Sequence, residues 1–219
     1  MTQHYDDEPV RGLPEPLPPG EHILWQGEPV WRDLAVRALH ARKLAVYFAV
    51  LLLWPGIAAY HDGASVAGAV WSSAKFLPLA AGVIGFLCVY AWLAARATVY
   101  TITNSRVVMR IGLALPIVLN LPFRQIASAD FRPFADGTGD IALVPTDSGG
   151  VGYLHLWPHA RRWHFNPAQP MLRAVPEGKK VAELLAGALT AANATPAPKA
   201  GPRLVVKGGV PVPPMANAA

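Results

Sequence analysis

Two long apolar runs dominate the hydrophobic pattern of the chain. Residues 44–60 form seventeen consecutive positions without a charge, and residues 76–95 form twenty. A helix that spans a bilayer needs about 20 apolar residues, with a range of about 17–25. Pro55 interrupts the first run, but a spanning helix tolerates proline where neighbouring groups satisfy the freed carbonyl. The pattern predicts two transmembrane helices; the alternative is a buried hairpin of two core helices in a soluble protein.

After residue 96 the hydrophobic period shortens to that of β-strands. Short segments rich in Val, Ile, Tyr and Phe alternate with turn signals such as Asp136-Gly137, which is typical of an antiparallel meander. The candidate strands are ATVYTI, RVVMRI, IVLNLP, SADFRP, DIALVP and YLHLW. A closing helix is predicted from apolar residues at spacings of three and four, namely Val181, Leu184, Leu185, Ala188, Leu189 and Ala192. The expected fold is α+β: two transmembrane helices, then an antiparallel β domain over residues 97–192 capped by a C-terminal helix.

The segments outside these elements differ in composition. Residues 1–20 are acidic and then Pro-rich, which predicts a flexible arm. Within residues 21–43, positions 23–25 indicate a short strand, and positions 31–43 indicate a basic amphipathic helix at the membrane surface. Residues 194–219 consist mainly of Ala, Pro, Gly and Val. That composition cannot build a core, so a disordered tail is predicted.

Basic residues flank the apolar runs unequally. Cations cluster before the first run and after the second, whereas the linker 61–75 holds only Lys75. The flanking cations are Arg32, Arg37, Arg42, Lys43, Arg96, Arg106 and Arg110. Because cytoplasmic loops carry the excess of Lys and Arg, both termini are expected in the cytoplasm and residues 61–75 in a periplasmic loop. This predicts a multi-pass protein of the inner or intracytoplasmic membrane.

The overall charge adds a class of partner. The formal net charge is +5, and only 15% of residues are charged, against about 25% in average soluble domains. A basic chain with apolar runs favours anionic lipid or acidic protein surfaces, and no nucleic-acid partner is predicted. A specific headgroup pocket is not expected, because Arg106 and Arg110 share at most one strand face while Arg124 and Arg132 are separate. We expect non-specific attraction to anionic lipid, worth about 1 kcal/mol per exposed cation near the surface.

Residues 155–173 are the chemically densest stretch of the chain. They include His155, His159 and His164, which invites a metal site. Pro158 breaks the helix that would align two imidazoles, and Asp, Glu and Cys are absent from the stretch. Zinc sites need three or four ligands with a supporting shell. With no Gly-x-Ser-x-Gly motif in the chain, we predict no metal, no cofactor and no enzymatic activity.

The same stretch is rich in residues that dominate protein interfaces, namely Trp and Arg. The candidate partner-binding residues are Trp25, Trp31, Trp157, Arg161, Arg162, Trp163 and Arg173. Trp157, Trp163 and the two arginines between them are expected on an exposed face. The alternative is that about half of the Trp side chains fill the core between sheet and helix. We predict that residues 155–173 form a docking edge.

Several segments resemble a known family. YTITNSRVVMRIG (Tyr100–Gly112), LPFRQIASADFRP (Leu121–Pro133) and GTGDIAL (Gly137–Leu143) resemble the bacterial pleckstrin-homology-like (PH-like) domains of small membrane proteins. GLPEPLPPGEHILWQGEPVWRDLA and LHLWPHARRWHFNPAQPMLRAVPEGKKVAELLAGAL resemble the photosynthetic complex assembly protein of the PuhB type. The resemblance covers about residues 10–192. One departure is Arg161-Arg162-Trp163, where the family is expected to have an Arg-Pro-Trp step.

The resemblance implies a non-enzymatic assembly factor for the bacterial photosynthetic reaction centre and its core antenna, with subunits of both as partners. A general membrane-anchored PH-like module that binds lipid or protein, unrelated to photosynthesis, is the alternative. Self-association into a homodimer stays open, because Gly68, Gly82 and Gly85 permit close helix approach. The subunit that is bound and the handling of bacteriochlorophyll also stay open.

Overall fold

The computed structural model describes residues 11–13, 15–113, 116–146 and 152–194. The helices are α1 (Trp31–Asp33), α2 (Ala41–His61), α3 (Val66–Ala74), α4 (Leu77–Ala97), α5 (Tyr153–Leu156) and α6 (Gly178–Ala194). The strands are β1 (Ile23–Gly27), β2 (Val99–Thr103), β3 (Arg106–Ile111), β4 (Ile117–Pro122), β5 (Ile126–Pro133), β6 (Gly139–Pro145), β7 (Ala160–Phe165) and β8 (Ala168–Val175). This order confirms the predicted fold class: two apolar helices, antiparallel sheets and a C-terminal helix.

The helices α2 and α4 contain 21 residues each and are long and apolar enough to cross a membrane. Pro55 lies inside α2 without ending it. Only 6% of the most apolar window of α2, and 11% of that in the region from α3 to α4, is buried. The side chains of Trp54 and Phe86 are 71% and 72% exposed. A core hairpin would bury such side chains, so the alternative of a buried soluble hairpin is contradicted.

The predicted loop over residues 61–75 contains the helix α3. The Ser65 side chain accepts a hydrogen bond from the backbone N–H of Gly68 at 3.2 Å and so caps the first turn. The helix packs on α2 at Gly56, where a Cβ atom would overlap the Ser73 hydroxyl. The connection is therefore helical over most of its length, because a serine cap and small apolar residues suit a packed helix, and its periplasmic location stays a prediction.

The connecting segment, residues 31–40, joins β1 to α2 and differs from the predicted continuous helix over positions 31–43. After α1 the backbone forms a π-helical turn (Leu34–Ala38), in which the N–H of Leu39 bonds to the carbonyl of Leu34 at 3.1 Å. His40 then adopts a left-handed conformation with φ of 61°, which separates this turn from α2. Leu34 is buried against Ala94 and Ala95 of α4. The segment thus packs on α4, and its position at the membrane surface stays a prediction.

The strands form two four-stranded antiparallel sheets rather than one meander. The first sheet has the order β1-β2-β3-β4, and the second has the order β5-β6-β8-β7. The predicted strand before α2 is therefore the edge strand of the first sheet, paired with β2. The chain leaves the first sheet at Pro122, and Phe123 enters the core from a single 3-10 turn before β5 begins.

Inward-facing residues of both sheets and of α6 share one core. Its largest buried members include Tyr100, Met109, Phe123, Leu143, Leu172 and Leu185. The apolar stripe predicted for the closing helix is confirmed. Val181 and Leu185 are buried, and Leu184, Ala188, Leu189 and Ala192 pack against the same core. Helix α6 therefore covers the sheets as the periodicity predicts.

The predicted strand YLHLW is wrong, because residues 153–156 form α5. Leu156 inserts into the core from this short helix, and Pro158 follows with no N–H for a sheet ladder. The residues after Pro158 form the hairpin β7–β8. This hairpin was not predicted, because its sequence shows no regular alternation of polar and apolar residues. The docking stretch, residues 155–173, is thus a helical turn followed by most of a hairpin.

The predicted flexible arm is partly ordered. Leu13 is 2% exposed, and the Arg11 side chain donates a hydrogen bond to the carbonyl of Arg96 at 3.0 Å. Gly12 approaches Val99 so closely, at a φ of 88°, that any side chain there would overlap it. Residues 1–10, and nearly all of the predicted tail 194–219, lie outside the described residues.

Candidate functional site

The predicted aromatic candidates occupy different environments. Trp25 is partly buried and packs against the main core. Trp31 is 37% exposed, with the Arg32 guanidinium over its ring. Trp157 is half-exposed and lies 6.0 Å from the ring of Tyr90 on α4, whereas Trp163 is 84% exposed on β7. Only part of the predicted Trp set is therefore available to a partner.

The three predicted arginines are also separated. Arg161 donates to Asp130 at 2.6 Å and to Gln169 at 3.0 Å. Arg162 is exposed and donates to the carbonyl of Arg37 in the connecting segment. Arg173 is only 5% exposed and donates to the carbonyl of Ala160 at 2.8 Å. Its prediction as a surface contact is wrong, because β8 lies inside the second sheet.

These arginines nevertheless meet at one place, which we call the basic cleft. It lies between the connecting segment and the second sheet and has a volume of about 620 Å³. Six Lys or Arg side chains line it against two acidic ones, Asp130 and Asp140. The cations are Arg37, Lys43, Arg132, Arg161, Arg162 and Arg173, and His40 lies beside them. The excess of positive charge in a concave site favours anions.

Arg37 holds one wall of the basic cleft in place. Its guanidinium pairs with Asp136, donates to the Thr138 hydroxyl at 2.7 Å and lies 3.3 Å from Asp33. It also stacks 3.7 Å from the centre of the Phe134 ring. Hydrogen bonds from Thr138 and Arg37 hold the pKa of Asp136 well below its usual range. The connecting segment is thereby fixed to the β5–β6 turn.

A buried polar chain supports the opposite wall. The Tyr100 hydroxyl lies 2.6 Å from His159 Nδ1, and the backbone N–H of Arg173 donates to the same hydroxyl at 3.2 Å. Thr98 Oγ1 lies 3.4 Å from His159 Nε2 and donates to the carbonyl of Ala94 at 2.8 Å. The geometry assigns the His159 proton to Nε2, because the Thr98 hydroxyl donates to Ala94 and can only accept from Nε2. Nδ1 then accepts from the Tyr100 hydroxyl. In this hydrogen-bonded series the hydroxyls of Thr98 and Tyr100 and both ring nitrogens of His159 each have a partner.

The charge state of that chain follows from its burial. Desolvation, together with the nearby Arg173 charge, lowers the pKa of His159 to about 3. Burial likewise raises the pKa of Tyr100. His159 is therefore neutral at physiological pH and serves the fold as a hydrogen-bonding residue. Among the described residues no group of three His, Cys, Asp or Glu side chains could hold a metal ion.

Arg173 is exceptional among the buried residues. Its Nε atom is the one buried side-chain nitrogen or oxygen without a hydrogen-bond partner in the described part of the chain. Desolvation lowers the pKa of Arg173, and the Asp140 carboxylate opposes that shift. Asp140 does not bond the guanidinium; its Oδ1 accepts from the backbone N–H of Ala174 at 2.9 Å.

A second cleft adjoins the first and is mostly apolar. It has a volume of about 510 Å³ and runs beside the middle turns of α4. Its apolar walls are Ala38, Leu39, Phe86, Leu87, Tyr90, Tyr153, Trp157, Pro158 and Ala160. His40, Arg162 and Arg173 line both clefts. The two spaces therefore meet at a basic boundary.

Comparison with known proteins assigns the family. Residues 39–189 match the family model of the bacterial PH domain. The chain belongs to this family. It is also 39% identical over 212 residues to the uncharacterized 23.7 kDa protein in the region 5′ of puhA in Rhodobacter capsulatus, covering 94% of this chain and 99% of that relative. No solved structure matches the chain. The family match agrees with the predicted PH-like domain.

The basic cleft is the feature that sequence reasoning missed. Of the four arginines considered for a headgroup pocket, only Arg132 lines it. The other cations come from the connecting segment, from the first turn of α2 and from β7 and β8, and Arg162 contacts Arg37 across 125 positions of sequence. No local pattern encodes that contact, and only the packing of the hairpin against the connecting segment creates it.

Proposed function

We propose that this bacterial PH-domain protein is a non-enzymatic assembly factor for the photosynthetic reaction centre and its core antenna. The observation that carries the proposal is the near full-length similarity to a protein of the puhA region in a photosynthetic bacterium. The resemblance to assembly proteins of the PuhB type supports the same role. The protein would hold newly inserted subunits beside one another while the complex forms.

The proposal includes a membrane topology. Two helices have the length and composition of spans, and the flanking Lys and Arg favour a cytoplasmic location for both termini and for the β domain. The β domain would then project from the cytoplasmic face of the inner or intracytoplasmic membrane. There it would contact cytoplasmic segments of the subunits.

The surface that suits such a partner is the edge of the second sheet. Strand β7 is the last strand of that sheet, and an edge strand offers unpaired backbone groups. Trp163 and Phe165 on β7 are 84% and 59% exposed, with their rings 6.4 Å apart. Leu154 follows Tyr153, whose ring lies 4.7 Å from that of Phe165, and is 84% exposed. An exposed aromatic pair on a strand edge is typical of an interface centre.

Deletion of the gene tests the function. In a phototrophic host, loss of an assembly factor reduces the near-infrared absorbance of the core complex. Unchanged absorbance in the deletion strain would reject the assembly role and favour the general lipid- or protein-binding module. Affinity capture from membranes during induction gives the same distinction, since recovery of lipid without a photosynthetic subunit also supports that module.

Point variants test the surface. The substitution W163A removes the more exposed of the two aromatic side chains and should reduce core-complex absorbance, with F165A adding to the loss. The matched control is V118A on β4, an edge strand of the first sheet, where Val118 is 38% exposed. Normal absorbance with the W163A/F165A pair would place the partner elsewhere. Replacement of Arg161 and Arg162 is less specific, because both also bond within the domain.

A further inference from the structure

We infer that the basic cleft and the adjoining apolar cleft together bind one anionic phospholipid, with its phosphate in the basic cleft and an acyl chain along α4. This inference is independent of the assembly role and requires only that α4 lie in a membrane. It replaces non-specific attraction to the membrane surface by a built site. Its volume of about 620 Å³ for the headgroup part and about 510 Å³ for the apolar part suits small-molecule binding.

The charges in the basic cleft are only partly neutralised from within. Arg37 is paired with Asp136 and Asp33, and Arg161 with Asp130. By contrast, Lys43, Arg132, Arg162 and Arg173 form no ion pair with an acidic side chain among the residues that the structure describes. Four such cations around one concavity favour the binding of an anionic phosphate group.

The unpaired Nε of Arg173 points to a ligand with an acceptor oxygen. A buried donor without an acceptor is unfavourable, and more so when the group is charged. Arg173 lines both clefts while only 5% of its surface is exposed. A phosphate oxygen at the boundary of the clefts would accept from this guanidinium and from that of Arg162. The same acceptor oxygens in a free phosphate would also serve, so the source of the phosphate must be tested.

The apolar cleft argues for a lipid over a free phosphate. Phe86, Leu87 and Tyr90 belong to α4, whose outward face is apolar. Lys43 stands in the first turn of α2, beside His40 at its start. Cations at the end of an apolar helix lie at the depth of lipid phosphates. One molecule with a phosphate and an acyl chain therefore meets both clefts at once.

Native mass spectrometry of the full chain in detergent, titrated with short-chain phosphatidylglycerol, tests the site. One tightly bound phosphatidylglycerol is expected, with phosphatidylcholine bound at least about tenfold more weakly. The substitution R162Q should lower the affinity for phosphatidylglycerol at least about tenfold, and K43Q should lower it further. Arg124→Gln is the matched control, because Arg124 is exposed on the turn before β5 and remote from both clefts. Equal binding by R162Q, K43Q and the control would overturn the site.

Two further arms identify the source of the phosphate. Leu87→Trp should block the acyl chain and weaken phosphatidylglycerol, whereas Val89→Trp, on an exposed side of α4, should not. Glycerophosphoglycerol, which lacks acyl chains, should bind far more weakly than phosphatidylglycerol. Equal affinity for the two would overturn the lipid assignment in favour of a free phosphate ester. If R162Q melts at a lower temperature than the wild type, K43Q carries the charge test, because Lys43 is exposed.

Discussion

His159 makes the stability of the folded chain depend on pH. Burial lowers its pKa from 6.5 to about 3, so the imidazole stays neutral in the folded state at moderately acidic pH. In the unfolded chain the same ring binds a proton below pH 6.5. Between these two pKa values the unfolded state holds more protons, and the stability therefore falls as the pH falls.

The expected loss follows from that difference. On acidification from about pH 7.5 to about pH 5, protonation of the unfolded ring stabilises the unfolded state by about 2 kcal/mol. The size of this loss at pH 5 is set almost entirely by the pKa of His159 in the unfolded chain, because the ring in the folded protein stays neutral at that pH. For a chain of this size, about 2 kcal/mol corresponds to a decrease in Tm of about 4–8 °C.

Thermal melts of the full chain in detergent, followed by near-ultraviolet circular dichroism, measure this decrease. His159→Gln is the matched variant: it keeps a buried hydrogen-bonding group but removes the titration, so its Tm should fall by about 4–8 °C less over the same interval. His40, whose pKa is lowered by burial and by Arg162, contributes equally to both proteins and cancels. Identical pH slopes for the wild type and His159→Gln would refute the assignment of a buried neutral His159.

Three other substitutions test the packing around the clefts. Tyr100→Phe leaves buried hydrogen-bonding partners unpaired and should destabilise the protein by about 1–3 kcal/mol in thermal melts, whereas Tyr153→Phe should not. Equal effects of the two substitutions would contradict the hydrogen bonds assigned to the Tyr100 hydroxyl. Leu34→Ala opens a cavity against α4 and should lower the free energy of unfolding by about 2–5 kcal/mol. Val36→Ala, at a more exposed position, should lower it much less. Equal losses for the two variants would contradict tight packing of Leu34 on α4. Arg37→Gln should increase hydrogen exchange in residues 134–138, and unchanged protection would show that this arginine does not hold the turn.

The sequence predicts the elements whose pattern is local. Uninterrupted apolar runs identify α2 and α4, and spacings of three and four place the buried face of α6, including Val181 and Leu185. Short segments rich in Val, Ile, Tyr and Phe between turn signals predict β2, β3 and β4 of the first sheet and β5 and β6 of the second. Each of these elements is specified by its own residues, because one face or the whole surface must be apolar.

The elements that were missed depend on distant partners. The π-helical turn forms because Leu34 packs on α4, and the β7–β8 hairpin contains charged residues on a strand that pairs only at one edge. Arg173 illustrates the limit for the site: its residue type predicts exposure, yet its strand lies inside a sheet. The role of residues 155–173 as a docking edge stays a prediction, and their geometry follows only from the whole fold.

The junction between α4 and β2 fixes how the β domain is presented. One residue, Thr98, separates the helix from the strand, and its hydroxyl bonds to the carbonyl of Ala94. Leu34 and the Tyr90–Trp157 contact brace the same junction. These contacts couple the orientation of the β domain to that of α4. In a bilayer the tilt and rotation of α4 would then set the distance of the β7 edge from the membrane and the direction in which it faces, so that a partner meets it at a defined distance and angle.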